Sequence, residues 1–211
     1  MDEVSLEIED EKMIEELLVN GYKYITFREY KKSLDFNRVS GKYFINRHNT
    51  DTDIATAKEF FRIEKKHRVK TIYYFRLSAL DFEFMREIEV YGSEASYYFE
   101  EIAQSAKDNY IKFKNEIKKE FIENVLMIED KLGIKIESLY LHKDFVNRKL
   151  DIINNKITKD IKLRDELGII YETYDKDIME NFDIYIFDKS YSQFYTPKPI
   201  FEYIDKYEKI I

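Results

Sequence analysis

The side chains best suited to chemistry stand at the ends of apolar runs. The run Lys42-Tyr-Phe-Ile-Asn-Arg-His-Asn-Thr-Asp51 closes on Arg47, His48, Asn49 and Asp51, and a second run, residues 134–141, closes on His142 and Asp144. Carboxylates and imidazoles are the groups that bind divalent metals through oxygen and nitrogen and move protons near neutral pH. In α/β barrels the chemistry sits where strands end, so these positions define a candidate strand-end site. Arg76 ends a third apolar run, and Arg164 lies further along. With Arg47, these cations could hold an anionic or sugar ligand, although pairing with the many surface carboxylates is the simpler role for each. Glu94 and Glu100 bracket a further run that ends in Tyr97-Tyr98-Phe99, and Tyr73, Tyr74, Tyr97 and Tyr98 could stack on a sugar ring or simply fill a core.

Such groups need strands to carry them and helices to brace the strands. Residues 22–27 read as a strand, as do 42–51, 69–75, 94–99, 134–141, 168–171 and 184–187, each rich in aromatic and β-branched residues. Between them, Ile54, Ala57, Phe60, Phe61 and Ile63 share one helical face after Thr52 or Asp53 as N-cap, and Lys65-Lys66-His67-Arg68 supplies cations for that helix's C-terminus. Residues 113–132 recur apolar at every third or fourth position up to Gly133, the best helical pattern in the chain. A helix over residues 9–19 ends at Gly21, and residues 199–211 can form a last helix with Ile200, Tyr203, Ile204 and Tyr207 on one side. Strand and helix alternating at this spacing require crossover connections and a parallel sheet. The expectation is one α/β domain over residues 1–211, an irregular (β/α) barrel of about seven strands, with residues 1–20 as an N-terminal helix and 191–211 as a tail or helix against it.

Composition narrows the function classes. The chain of 211 residues is 44% hydrophobic and 16% aromatic, enough for a sizeable core. Its net charge of −7 comes from 42 acidic and 35 basic residues that are finely mixed, which argues against nucleic acid or an anionic membrane as partner. Without cysteine, disulfides, thiolate zinc sites and cysteine nucleophiles are excluded. An acidic N-terminal stretch and the lack of a long apolar run lead to the expectation of a cytoplasmic protein.

The segments GYKYITFREY, RHNTDTD with the following ATAKEFFRIEKKHRV, KTIYYFRLS, YGSEASYYFEEI, IESLYLH and LGIIYET together resemble, in order and spacing, those of the metal-dependent polysaccharide deacetylases, the carbohydrate esterases of NodB type. The likeness covers roughly residues 14–190 and is nearest to a short branch whose strand reads Arg-His-Asp-x-Asp. It implies a distorted (β/α) barrel of about seven strands and hydrolysis of an acetyl group on a sugar, with a divalent metal activating water. In that pattern the first aspartate is the base and the second the metal ligand. Here the base position carries Asn49, which accepts no proton near neutral pH, while Asp51 keeps the ligand position. The family's Gly-His-Glu-x-Gly-x-His reads Gly92-Ser-Glu-Ala-Ser-Tyr-Tyr98, so Tyr98, a neutral phenol, stands where a ligand histidine is expected. The more usual second histidine position falls at Ile102.

Each retained residue also has a structural reading. Asp51 could cap a helix instead of holding a metal, and His48, alternating away from Asn49 along a strand, could be a hydrogen-bonded structural histidine. His142 ends a strand where the resembling branch often carries a histidine, so it is a candidate catalytic residue with ordinary strand-end packing as its structural reading, and His67 reads as a helix-end cation. Three functions remain open. The first is an impaired deacetylase-like protein that binds a carbohydrate-like small molecule or a protein partner and needs no cofactor. The second is an active sugar deacetylase with a rebuilt site around a divalent metal such as zinc. The third is a phage or mobile-element protein acting through its surface.

Overall fold

The run that closes on Asp51 is divided between two sheets. Its first half is β2 (Tyr43–Phe44) and its second half is β3 (Arg47–Thr50). This computed structural model describes residues 3–35, 40–100, 114–141, 157, 159–189, 192–196 and 200–211. β2 lies between β1 (Lys23–Tyr24) and β10 (Lys209–Ile210), parallel to both. β3 is the edge of a five-stranded parallel sheet in the order β3, β4 (Ile72–Phe75), β5 (Glu94–Phe99), β6 (Ser138–Leu141) and β7 (Tyr171–Glu172). The chain passes from one sheet to the other within two residues, because Ile45 N–H donates to Ile210 O while Asn46 O accepts from Ile72 N–H, each at 3.0 Å.

Helices fill the crossovers of the larger sheet, as parallel pairing requires. They are α3 (Ile54–His67), α4 (Phe82–Tyr91), α5 (Lys114–Leu132) and α6 (Ile161–Leu167). Strand alternation sends Tyr73, Phe75, Ala95, Tyr97, Phe99 and Leu139 to one face, where Phe61, Phe84, Met85, Phe121, Val125 and Ile128 of the helices meet them. The other face carries Ile72, Tyr74, Tyr98 and Tyr171 and packs with Phe27, Tyr30, Ile45, Ile178 and Ile211. Burying each such ring contributes about 2–3 kcal/mol on the transfer scale. The N-terminal helix α1 (Glu3–Val19) buries Met13, Ile14 and Leu17 in a third cluster with Tyr22, Phe44, Ile63 and Ile210. It ends as expected at Gly21, whose φ of 81° is the left-handed conformation glycine favours.

Three expectations change in detail. The first strand is cut to Lys23–Tyr24, because α2 (Phe27–Asp35) begins early. Thr26 Oγ1 accepts from Glu29 N–H at 3.2 Å while Glu29 Oε2 accepts from Thr26 N–H at 3.1 Å, a reciprocal cap. The helix expected over residues 199–211 is a 3-10 turn, Ile200–Glu202, followed by β10, whose Ile210 is fully buried against β2. Residues 184–187 give an isolated bridge at Ile184 and then an antiparallel hairpin of β8 (Phe187–Lys189) and β9 (Ser192–Thr196). The parallel α/β architecture is as expected. Among the described residues, no strand pair joins β7 back to β3, and the described strands of the larger sheet form a row of five.

Candidate functional site at the strand ends

Helix α3 fixes the end of β3. Asp53, not Asp51, is its N-cap, with Asp53 Oδ1 accepting from Thr56 N–H at 3.0 Å. The capping role considered for Asp51 is therefore corrected: its carboxylate is half exposed and lies 3.9 Å from Arg76 Nη1. Arg76, at the end of β4, donates to Glu100 Oε2 from both Nε (2.8 Å) and Nη2. The bond to Glu100, more than burial, decides the balance that raises the Arg76 pKa. Tyr98, the last residue but one of β5, stands beside this pair, 6% exposed, with its ring edge-on to Tyr140 at 4.8 Å. Burial, then Tyr140 and Asp51, push the Tyr98 hydroxyl far above its ordinary value, so it remains a neutral phenol and a poor metal ligand.

Arg47 and Asn49 project from β3 toward the same tyrosines. The Arg47 guanidinium carbon lies 5.1 Å from the Tyr140 ring centre and 4.7 Å from that of Tyr185. Asn49 is exposed, and its amide faces the Tyr140 hydroxyl. Tyr174 OH donates to Tyr140 OH at 3.3 Å and stands 3.5 Å from Tyr185 OH. Burial and the Tyr174 neighbour push Tyr140 up to about 12. Asn49, Asp51, Arg76, Tyr98 and Glu100 thus share one strand-end region, and the side chain of Arg47, which opens β3 level with Ile72 and Glu94, reaches Tyr140 at its border; Tyr140, Tyr174 and Tyr185 were not singled out from sequence. The alternation of Ser138 and Tyr140 in IESLYLH carried the signal for Tyr140.

The remaining candidates lie elsewhere. His48 points to the opposite face, where its Nε2 meets Glu64 Oε1 at 2.7 Å and its ring stacks on Tyr73 and Phe60. This is the structural alternative raised by its strand position. Glu64, fully buried on α3, also accepts from Thr71 Oγ1 and Tyr73 OH, each at 2.7 Å. It escaped notice although Ala57, Phe61 and Glu64 share one helical face. Burial opposes charging His48, but Glu64 outweighs it and raises the imidazole pKa. Glu94 opens β5 rather than closing it, 1% exposed, accepting from Ser138 Oγ, Tyr171 OH and Arg28 N–H. Burial raises its pKa, and it lies about 16 Å along the strand from Phe99, five residues at roughly 3.3 Å each. Arg164 is clamped by Asp175 Oδ1 and Oδ2 at 2.9 and 2.6 Å. His67 binds Glu11 Oε1 at 2.8 Å. His142 lies outside the described residues.

A metal of the kind the resemblance implies needs several donors around one point. Among the described residues the group of His, Asp or Glu side chains close enough for this is Glu11, Glu15 and His67. His67 ends α3 while Asp51 precedes it, so they are separated by about 20 Å of helix at roughly 1.5 Å per residue. At the strand ends Asp51 already faces a guanidinium, and Tyr98 offers a neutral phenol. The described donors there do not fit the metal.

The fold these elements build is polysaccharide-deacetylase-like. It matches a Streptococcus pyogenes deacetylase, PplD in complex with acetate, with a TM-score of 0.51 at 11% identity over 67% of this chain and 66% of that one. It also matches IcaB from Ammonifex degensii with a TM-score of 0.53 at 12% identity over 77% of this chain and 73% of that one. The chain thus spans about two thirds of the length of PplD. No family model and no curated protein matches the sequence. Among the described residues, no helix is long and apolar enough to cross a membrane.

Proposed function

We propose that this chain is a polysaccharide-deacetylase-like protein that has lost metal-dependent hydrolysis and uses the strand-end region of an irregular barrel to bind a carbohydrate-like ligand. The supporting observation is the replacement, in one connected cluster, of both groups the reaction needs. Asn49 stands at the base position, and Tyr98 stands at the ligand position beside an Asp51 that already faces Arg76. Hydrolysis requires a base to deprotonate water and a cation to polarise the carbonyl. Binding requires neither. Partly exposed tyrosine rings, an exposed amide and a guanidinium edge suit a polyhydroxylated ligand, which takes stacking on its apolar face and hydrogen bonds at its rim.

Calorimetric titration with zinc, cobalt and nickel tests the loss of the metal site. No stoichiometric binding tighter than about 1 μM, roughly 8 kcal/mol, is expected. Tight binding abolished by Asp51→Ala overturns the reading. Incubation with N-acetylated hexosamine oligomers is expected to release no acetate while saturation-transfer NMR reports contact between sugar and protein. Contact with neither sugars nor their charged derivatives would leave a protein partner as the occupant of this surface.

A further inference from the structure

Arg47 lacks what the other partly buried arginines have. Arg28 pairs with Glu89 and Glu137, Arg76 with Glu100, and Arg164 with Asp175. Arg47 has no ion pair among the described residues, and its Nη1 is buried without a hydrogen-bond partner. The Tyr140 and Tyr185 rings lie 5.1 and 4.7 Å from its guanidinium carbon. Aromatic faces stabilise the cation but offer no acceptor in its plane. A buried donor left unmade costs about 1–3 kcal/mol, and that cost disappears when an acceptor arrives. The neighbouring hydroxyls of Tyr140, Tyr174 and Tyr185 meet one another, while Asp51 and Glu100 both face Arg76. Among the described residues, the unmatched positive charge in this region is therefore Arg47.

We propose that Arg47 is the seat for the oxyanion of the bound ligand, a carboxylate or phosphate on a sugar-sized molecule, with Asn49 and the Tyr174 and Tyr185 hydroxyls at its rim. A guanidinium held by aromatic faces keeps its donor fork preorganised for two oxygens at once. The inference deepens the ligand-binding reading and rests on it for the sugar, not for the anion.

The test is calorimetry and saturation-transfer NMR at low salt with glucuronate, glucose 6-phosphate, glucose and inorganic phosphate, on the wild-type chain, Arg47→Gln and Arg47→Lys. One charged sugar is expected to bind at least about tenfold tighter than glucose. A preference for glucuronate assigns a carboxylate, and one for glucose 6-phosphate a phosphate. Arg47→Gln should erase the preference, Arg47→Lys should retain part of it, and rising salt should shrink it in the wild-type chain even if a variant fails to fold. Glucose binding as tightly as both charged sugars overturns the oxyanion seat and leaves the sugar-binding reading standing. Phosphate bound in an Arg47-dependent way, with no contact to any sugar, supports the seat and overturns the sugar. Binding of none of the four overturns both.

Discussion

At the scale of single residues, ionisable groups away from the strand ends govern stability. Asp10, on α1, has an Oδ2 that is buried without a hydrogen-bond partner among the described residues. Burial, against the pull of His48, pushes its pKa up to about 6. The folded state therefore holds this proton more tightly than the unfolded chain does, and stability falls as pH rises from about 4 to 6. His48, raised by Glu64, contributes stability that is complete below its ordinary 6.5 and is lost as pH rises through its higher folded value. Glu11, held down to about 2 by Lys66 and His67, acts in the opposite sense, but only below its ordinary 4.5. Melting temperature should therefore fall between pH 5 and pH 8. Asp10→Asn should flatten the lower part of that decline and stabilise the protein at pH 8 by about 1–3 kcal/mol, as followed by thermal melts across pH. Glu64 accepts from three side chains while fully buried. Glu64→Gln should cost about 2–4 kcal/mol in urea unfolding at pH 7, and an unchanged midpoint would contradict the role given to Glu64.

At the scale of elements, the decisive feature is the division of residues 43–50 between two sheets. The sequence marks this run as extended and apolar, and its last residues as polar, but β2 is defined by a partner from the other end of the chain. β10 supplies it: Tyr43 N–H donates to Glu208 O at 2.7 Å and Ile45 N–H to Ile210 O at 3.0 Å. Removal of residues 208–211 should strip β2 of one neighbour, uncover Ile45 and destabilise the chain by about 3–5 kcal/mol, the scale of losing large buried aliphatic side chains. Chemical denaturation of the shortened chain would measure this. The error over residues 199–211 has the same origin. Ile200, Tyr203, Ile204 and Tyr207 satisfy a helical period, yet Ile200, Tyr203 and Ile204 are buried with Ile210 against α1 and β1, and a local period cannot reveal that distant surface. The opposite case is α2, where the Thr26 to Glu29 capping box was legible in TFRE and shortened the strand before it.

At the scale of the whole molecule, the strand that leaves β2 and enters β3 couples both sheets, so the two should unfold together. Far-ultraviolet circular dichroism and fluorescence from the 18 tyrosines, in a chain without tryptophan, should give coincident denaturation curves. Separated transitions would show the sheets to be independent. The sequence alone determined the alternation of strands and helices, the parallel sheet that alternation demands, and the side-chain types at Asn49 and Tyr98, an amide and a phenol where the resembling motifs have a carboxylate and an imidazole. These are properties of neighbouring residues and of side-chain chemistry, which survive without knowledge of the partner. Tertiary structure alone decided where each polar group points and what it meets. It turned His48 to Glu64, buried Glu94 at the start of its strand, placed Asp51 opposite Arg76, and left Arg47 between two tyrosines with no counter-charge among the described residues. Contacts across tens to more than a hundred residues set those outcomes, because a side chain's charge, solvation and free valence belong to the space around it and not to its position in the chain.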